Sequence, residues 1–290
     1  MKYFPSRFAK LLCAGAVALS LATSGHAQDE PGPLAGGRHV AMGSSFAAGS
    51  GFGQVKYNTP QRCGRSYENY ATLLAEELRM LLIDVTCGGA TTAHILGAWN
   101  ELPPQIEAVT TDTDLVTITI GGNDIGYVGY LIAESCKQRG PIQLGGAGTV
   151  CPQVPVPNDS AYFKLENNLR TIAYEVRRRA PNARLIFVQY LEMVPPYACA
   201  DSPISLDAAR TARDIGQRLA QVTARVAQET GATLFGFPKA SRKRLACGGK
   251  TAWVTGWPAN YQPGDAFPWH PTRAGHAAIA RELFKNIGKE

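Results

Sequence analysis

Three short glycine-bearing loops and one late histidine hold the residues with chemistry to offer. The loops read Gly43-Ser44-Ser45-Phe46-Ala47-Ala48-Gly49, Cys87-Gly88-Gly89-Ala90-Thr91 and Gly121-Gly122-Asn123-Asp124, and the histidine stands in Pro268-Trp269-His270-Pro271. A serine hydroxyl is a weak nucleophile until a base takes its proton, and the oxyanion formed by attack on a carbonyl needs hydrogen-bond donors already in place. Ser45, flanked by small residues, offers the hydroxyl and His270 the base. Gly89 can present an unobstructed N–H, and Asn123 a side-chain amide. Ser44 is the rival serine. Asp124 reads as a loop-fixing acceptor, His39 and His94 as structural or surface histidines, and His276 as a packing residue among Ala274, Ala277 and Ala278. Tyr127, Tyr130, Trp253, Trp257 and Trp269 fit two readings, the wall of an acyl or aromatic pocket and the ordinary packing of long loops.

These residues make one site only if the surrounding elements bring them together. Short apolar runs at His39–Gly43, Leu82–Thr86, Asp114–Ile120, Arg184–Gln189 and Thr233–Phe235 predict five strands. Helical spacing covers Ser66–Met80, where Tyr67, Tyr70, Leu74 and Leu78 recur, then Tyr162–Arg179, Ile204–Thr230 and Thr272–Ile287. Strands alternating with helices predict an α/β fold, a parallel sheet covered on both faces. In such a sheet ligands gather beyond the carboxyl ends of the strands, where the strand order reverses. With the order 2-1-3-4-5 the three loops are neighbours, and a loop at the start of the last helix can fold over the same edge. Two stretches fit the alternation poorly, Tyr127–Asp159 and Lys250–Pro268. The first contains Cys136 and Cys151 and reads as a tethered flap, since long loops in compact domains tend to be functional or disordered.

Taken together, Ser45, Gly89, Asn123 and His270, in that order and with Gly-Gly-Asn-Asp intact, resemble the four blocks of the SGNH hydrolases, also called GDSL-type lipases and esterases. The resemblance runs from Val40 to the final helix. It implies a flavodoxin-like three-layer α/β/α sandwich with a five-stranded parallel sheet. It also implies Ser45 as nucleophile, His270 as general base, and an oxyanion hole from the Ser45 and Gly89 N–H groups plus Asn123. The chain departs from the family pattern twice. Ser44 stands where an aspartate usually precedes the nucleophile, and Phe267 stands where an acid often lies three residues before the histidine. The reading adopted is a Ser45–His270 dyad oriented by the Phe267 carbonyl, with Asp265 as the alternative third member. The expected reaction is hydrolysis of a small-molecule or lipid carboxylic ester through an acyl-enzyme. A carbohydrate O-acetyl esterase with the same residues, or a non-catalytic exported binding module on the same fold, are the alternatives.

The rest of the chain bounds where this chemistry operates. Lys2, Arg7 and Lys10 precede an apolar run from Leu11 to about Thr23, and Gly25-His26-Ala27 precedes a polar stretch. That is the pattern of a secretory leader, residues 1–27, and the run is too short for a membrane anchor, which needs roughly 20 apolar residues. Export to the periplasm or beyond follows, with residues 28–290 as one hydrolase domain acting as a monomer. Cleavage takes the balance from 29 basic against 23 acidic residues to 26 against 23. So small a surplus, with no basic stripe among aromatics, gives no case for nucleic acid. No cofactor or metal is expected: no Cys-x-x-Cys or His-x-x-x-His spacing occurs, and no Gly-x-Gly-x-x-Gly follows the first strand. Of seven cysteines Cys13 falls in the leader, leaving Cys63, Cys87, Cys136, Cys151, Cys199 and Cys247. An even set in an exported chain implies disulfides, and six cysteines allow 15 pairings. The family resemblance implies the sequential set: Cys63 with Cys87, Cys136 with Cys151, and Cys199 with Cys247.

Overall fold

Strands β1 (Arg38–Gly43), β2 (Leu81–Asp84), β3 (Thr113–Thr119), β4 (Arg184–Val188) and β5 (Thr233–Phe235) form one parallel sheet in the order 2-1-3-4-5. The computed structural model describes residues 1–3, 32–142, 150–237 and 239–287; the expected leader lies outside these but for Met1–Tyr3. Val40, Ala41 and Met42 of β1, Leu115, Val116 and Ile118 of β3, and Leu185–Val188 of β4 are all buried. Both faces of these strands are covered, which is why they read as continuous apolar runs instead of alternating ones. The register sets Met42 beside Ile118 and Gly43 beside Thr119. The chain leaves β1 toward β2 on one side and reaches β3 on the other, so the reversal point sits over the carboxyl ends of β1 and β3.

Helices α1 (Ser45–Ala48), α2 (Tyr70–Leu78), α3 (Thr92–Leu96), α4 (Tyr127–Arg139), α5 (Asp159–Arg179), α6 (Leu206–Thr230) and α7 (Arg273–Ile287) cover the sheet. Two packed groups result, α2 with α7, and α3 and α4 with α5 and α6. α6 shows why such a segment is helical. Its buried Ala208, Ala212, Ile215, Leu219, Val222 and Val226 recur every three or four residues, Ser205 accepts the Ala208 N–H at the start, and Gly231 at φ 65° ends it. Burying each large aliphatic side chain contributes about 1.5–3 kcal/mol, more than the cap.

The first part of the stretch read as a tethered flap is instead helix α4 over Tyr127–Arg139, with a tether at its end, and residues 143–149 of that stretch lie outside the described residues. Tyr127, Tyr130, Leu131 and Ala133 are buried by it. The glycines and prolines that suggested a loop lie mostly after Arg139, and averaging over the whole segment hid the helix. Gly140, at φ 85°, stops it, and Cys136 is joined to Cys151. The other disulfides are Cys63–Cys87 and Cys199–Cys247, which completes the sequential set. Closing the 15-residue separation of the middle pair stabilises the fold by roughly 3 kcal/mol in the chain-entropy model. Among the described residues no helix is long and apolar enough to cross a membrane.

Candidate active site

The first loop is built around Gly43. Its φ of 144° belongs to glycine, and a Cβ there would run into the Thr119 carbonyl of the adjacent strand. Gln105, buried, holds this turn by both backbone groups: it accepts the Gly43 N–H at 2.8 Å and donates to the Gly43 carbonyl at 3.1 Å. Ser44 is then extended and Ser45 opens α1. The two serines part company here. Ser44 is 1% exposed and its Oγ lies 3.1 Å from the Tyr190 hydroxyl, whereas Ser45 is half-buried and its Oγ lies 2.7 Å from His270 Nε2.

His270 is placed by a turn with an unusual residue in it. Trp269 sits at φ 60°, a left-handed conformation that costs a non-glycine residue about 1–2 kcal/mol. Its indole is fully buried and donates to Ser135 Oγ on α4 at 3.0 Å, which offsets that cost. The turn brings the Pro268 carbonyl to 2.9 Å from His270 Nδ1. A carbonyl can only accept, so Nδ1 carries the proton and Nε2 is left as an acceptor facing the Ser45 hydroxyl. Burial pushes the His270 imidazole down to about 4, and the Pro268 hydrogen bond opposes this in part. The ring is therefore neutral at ordinary pH, as a base must be.

The orienting carbonyl is thus that of Pro268, not Phe267. The Phe267 carbonyl already accepts the His270 backbone N–H at 3.1 Å and the Thr255 hydroxyl at 2.6 Å. Asp265 is not brought to the imidazole: it is exposed, and its carboxylate accepts the Gln262 N–H at 3.0 Å.

Gly89, at φ 81°, lies in a turn held by the Cys63–Cys87 disulfide and by Gly88 N–H donating to the Cys63 carbonyl at 3.0 Å. Neither the Ser45 nor the Gly89 amide donates to a protein acceptor among the described residues. Asn123 donates one amide hydrogen to the Ala90 carbonyl at 2.9 Å, which ties the third loop to the second and leaves its other hydrogen free of that bond. Asp124 strengthens the tie by accepting the Thr92 N–H at 3.1 Å and the Thr92 hydroxyl. Its pKa is nevertheless raised, because burial outweighs those bonds.

A family model described as GDSL-like Lipase/Acylhydrolase matches residues 41–278. The chain belongs to the GDSL-like lipase/acylhydrolase family. Lipase 2 of Streptomyces coelicolor is 32% identical over 261 residues, covering 86% of this chain and 85% of that protein. An esterase of Streptomyces scabiei is 26% identical, covering 91% and 88%. Among solved structures, phospholipase A1 from Streptomyces albidoflavus superposes with a TM-score of 0.68 at 20% identity over 87% of this chain and 99% of that one. The extracellular lipase from Streptomyces rimosus gives 0.65 at 22%, with the same coverage. At those identities the two structures establish the α/β fold.

Several aromatic residues of this GDSL-family chain resolve as packing. Tyr127, Tyr130, Trp257 and Trp269 are at most 7% exposed, and Trp253 packs against the core. His39 bonds Thr117 Oγ1 at 2.9 Å, His94 accepts the Thr91 N–H at 3.0 Å, and His276 accepts the Tyr70 N–H at 3.0 Å. Gln105, Ser135 and Tyr190 went unmarked in the sequence, because none sits in a local pattern that announces its distant partner; Pro268 stands inside the marked histidine motif, two residues from its partner, but Phe267 was expected to supply the carbonyl.

Three buried histidines set a pH dependence for the fold. Burial lowers His39 and His270 to about 4 and His276 to about 3, against 6.5 for the free side chain. The folded state keeps them neutral while the unfolded chain takes up protons below about pH 6.5. Their contribution is complete above that value and is lost as pH falls toward the folded values. Urea midpoints should therefore drop steadily between pH 7 and pH 5, each histidine removing up to about 1.4 kcal/mol per pH unit. A stability that stays level across that interval would show that the rings are solvated in the folded protein.

Proposed function

We propose that the protein is an exported carboxylic ester hydrolase of the lipase and esterase type, working through an acyl-enzyme on Ser45. The observation that carries this reading is the chain of contacts from Pro268 carbonyl to His270 Nδ1, and from His270 Nε2 to Ser45 Oγ. His270 takes the serine proton as Ser45 Oγ attacks the ester carbonyl. The resulting oxyanion is received by the Ser45 and Gly89 N–H groups and the Asn123 amide. Collapse expels the alcohol, which leaves with the proton held by His270, and water then releases the acid by the same steps in reverse roles. Three disulfides favour an oxidising compartment, which supports export. The lipase and esterase names of the relatives support acyl esters over a polysaccharide.

The test is a fluorophosphonate on the purified protein, followed by peptide mapping, with esters of increasing acyl length assayed beside acetylated xylan. One label per chain, on Ser45, with loss of ester hydrolysis in proportion, is the expected result. A label on Ser44, or full activity after labelling elsewhere, would overturn the assignment. Turnover of the xylan alone would move the substrate class to carbohydrate acetates.

A further inference from the structure

We propose that Tyr190 is a positioning residue that fixes the separation of two oxyanion donors, the Ser45 N–H and the Asn123 amide. It does so by bonding the residue immediately before each of them. The inference rests on the Ser45 reading above and adds a residue that follows a strand supplying none of the reacting groups.

Tyr190 lies just past β4, beyond Val188. Its hydroxyl accepts the Gly122 N–H at 3.1 Å and shares a second hydrogen bond with Ser44 Oγ, also at 3.1 Å. Gly122 precedes Asn123 and Ser44 precedes Ser45, so one oxygen pins the loop after β3 to the loop after β1. The ring completes the fit. It lies 4.4 Å, centroid to centroid, from Phe46, the residue after Ser45. A Cβ on Gly122 would meet three of the tyrosine's atoms at 2.8 Å, so glycine is needed there for the phenol to come so close. Burial pushes the phenol up to about 12, and it stays protonated, able to accept from Gly122 and still take part with Ser44. Ser44 is 1% exposed, so bulk water is not at hand to replace the bond.

The remaining donor is tied separately, by Asn123 to the Ala90 carbonyl next to Gly89. Asn123 is thus the corner shared by two links, one short and direct to the second loop, the other through Tyr190 to the first. An oxyanion hole works because its donors are in place before charge develops, and a displacement of about 1 Å in such a site can lower the rate by about 10²-fold.

Tyr190→Phe keeps the ring and deletes the link. On a p-nitrophenyl ester, with kcat expressed per fluorophosphonate-titrated site, the expected loss is between about tenfold and about 10²-fold. That is below the roughly 10²–10³-fold for removing a donor outright, for which Asn123→Ala is the benchmark. KM should hold, and affinity for a trifluoromethyl ketone, which forms a tetrahedral adduct on serine, should fall by the same factor as kcat/KM. Ser44→Ala should show a smaller loss in the same proportion, and the double variant no more loss than Tyr190→Phe alone, because both changes break one bridge. A merely structural tyrosine would lower the number of titrated sites and the melting temperature, leaving kcat per site and adduct affinity alone; that result, or a raised KM with kcat kept, overturns the proposal. Should Tyr190→Phe not fold, Ser44→Ala carries the same comparison. Activity surviving in Ser45→Ala would sink the underlying reading instead, and the two failures are told apart by that control.

Discussion

Ser45→Ala is expected to abolish hydrolysis of short p-nitrophenyl esters, with kcat falling by as much as about 10⁶, while Ser44→Ala keeps a readily measured fraction. The two hydroxyls are adjacent in sequence and opposite in surroundings. Ser45 Oγ is 2.7 Å from a neutral imidazole nitrogen that has no proton of its own. Ser44 Oγ is shut away against the Tyr190 phenol, whose own hydrogen-bond partner is a backbone amide. A buried hydroxyl without a base neither loses its proton nor reaches a substrate carbonyl. Steady-state kinetics on both variants, with circular dichroism to show the fold retained, decides the matter. The opposite ranking would mean that substrate enters from the Tyr190 side and that the nucleophile is Ser44.

The second large effect separates a dyad from a triad. His270→Ala should be nearly inactive, whereas Asp265→Asn should lower kcat/KM by less than about tenfold, far short of the ~10⁴ that follows replacement of a working triad acid. The Nδ1 proton goes to the Pro268 carbonyl at 2.9 Å, and the Asp265 carboxylate is occupied by the Gln262 N–H in an exposed turn. A carbonyl fixes the tautomer and the ring plane as well as a carboxylate does. It brings no full negative charge to the imidazolium formed on attack, so more of the stabilisation is left to the oxyanion donors. A loss of several powers of ten in Asp265→Asn, with an intact spectrum, would mean that the turn rearranges when substrate binds and that Asp265 completes a triad.

Much of this was legible in the sequence for a local reason. Strands β1 and β3 are buried on both faces, so each is an apolar run that ends where its loop begins, and those loops hold Ser45 and Asn123, while the loop with Gly89 follows β2, a partly exposed strand at the edge of the sheet. What escaped is non-local. Ser44 and Tyr190 are 146 positions apart, and Trp269 and Ser135 are 134 apart. Neither pair leaves a periodicity or a spacing to read. The left-handed backbone at Trp269 is equally silent, because the turn is held by burial of the indole and not by any preference of tryptophan for that conformation. Helix α4 escaped for a third reason, since Gly129 interrupts its apolar stripe and a proline-bearing loop follows it.

The 225 positions between Ser45 and His270 give the molecule an order of assembly. The hydroxyl is made early and the imidazole near the end, and the imidazole is presented only once the Trp269 indole has docked on the helix bearing Ser135 and Cys136. A growing or unfolded chain therefore holds a serine with no base beside it. The nucleophile thus waits for its proton acceptor until the loop before the last helix has closed.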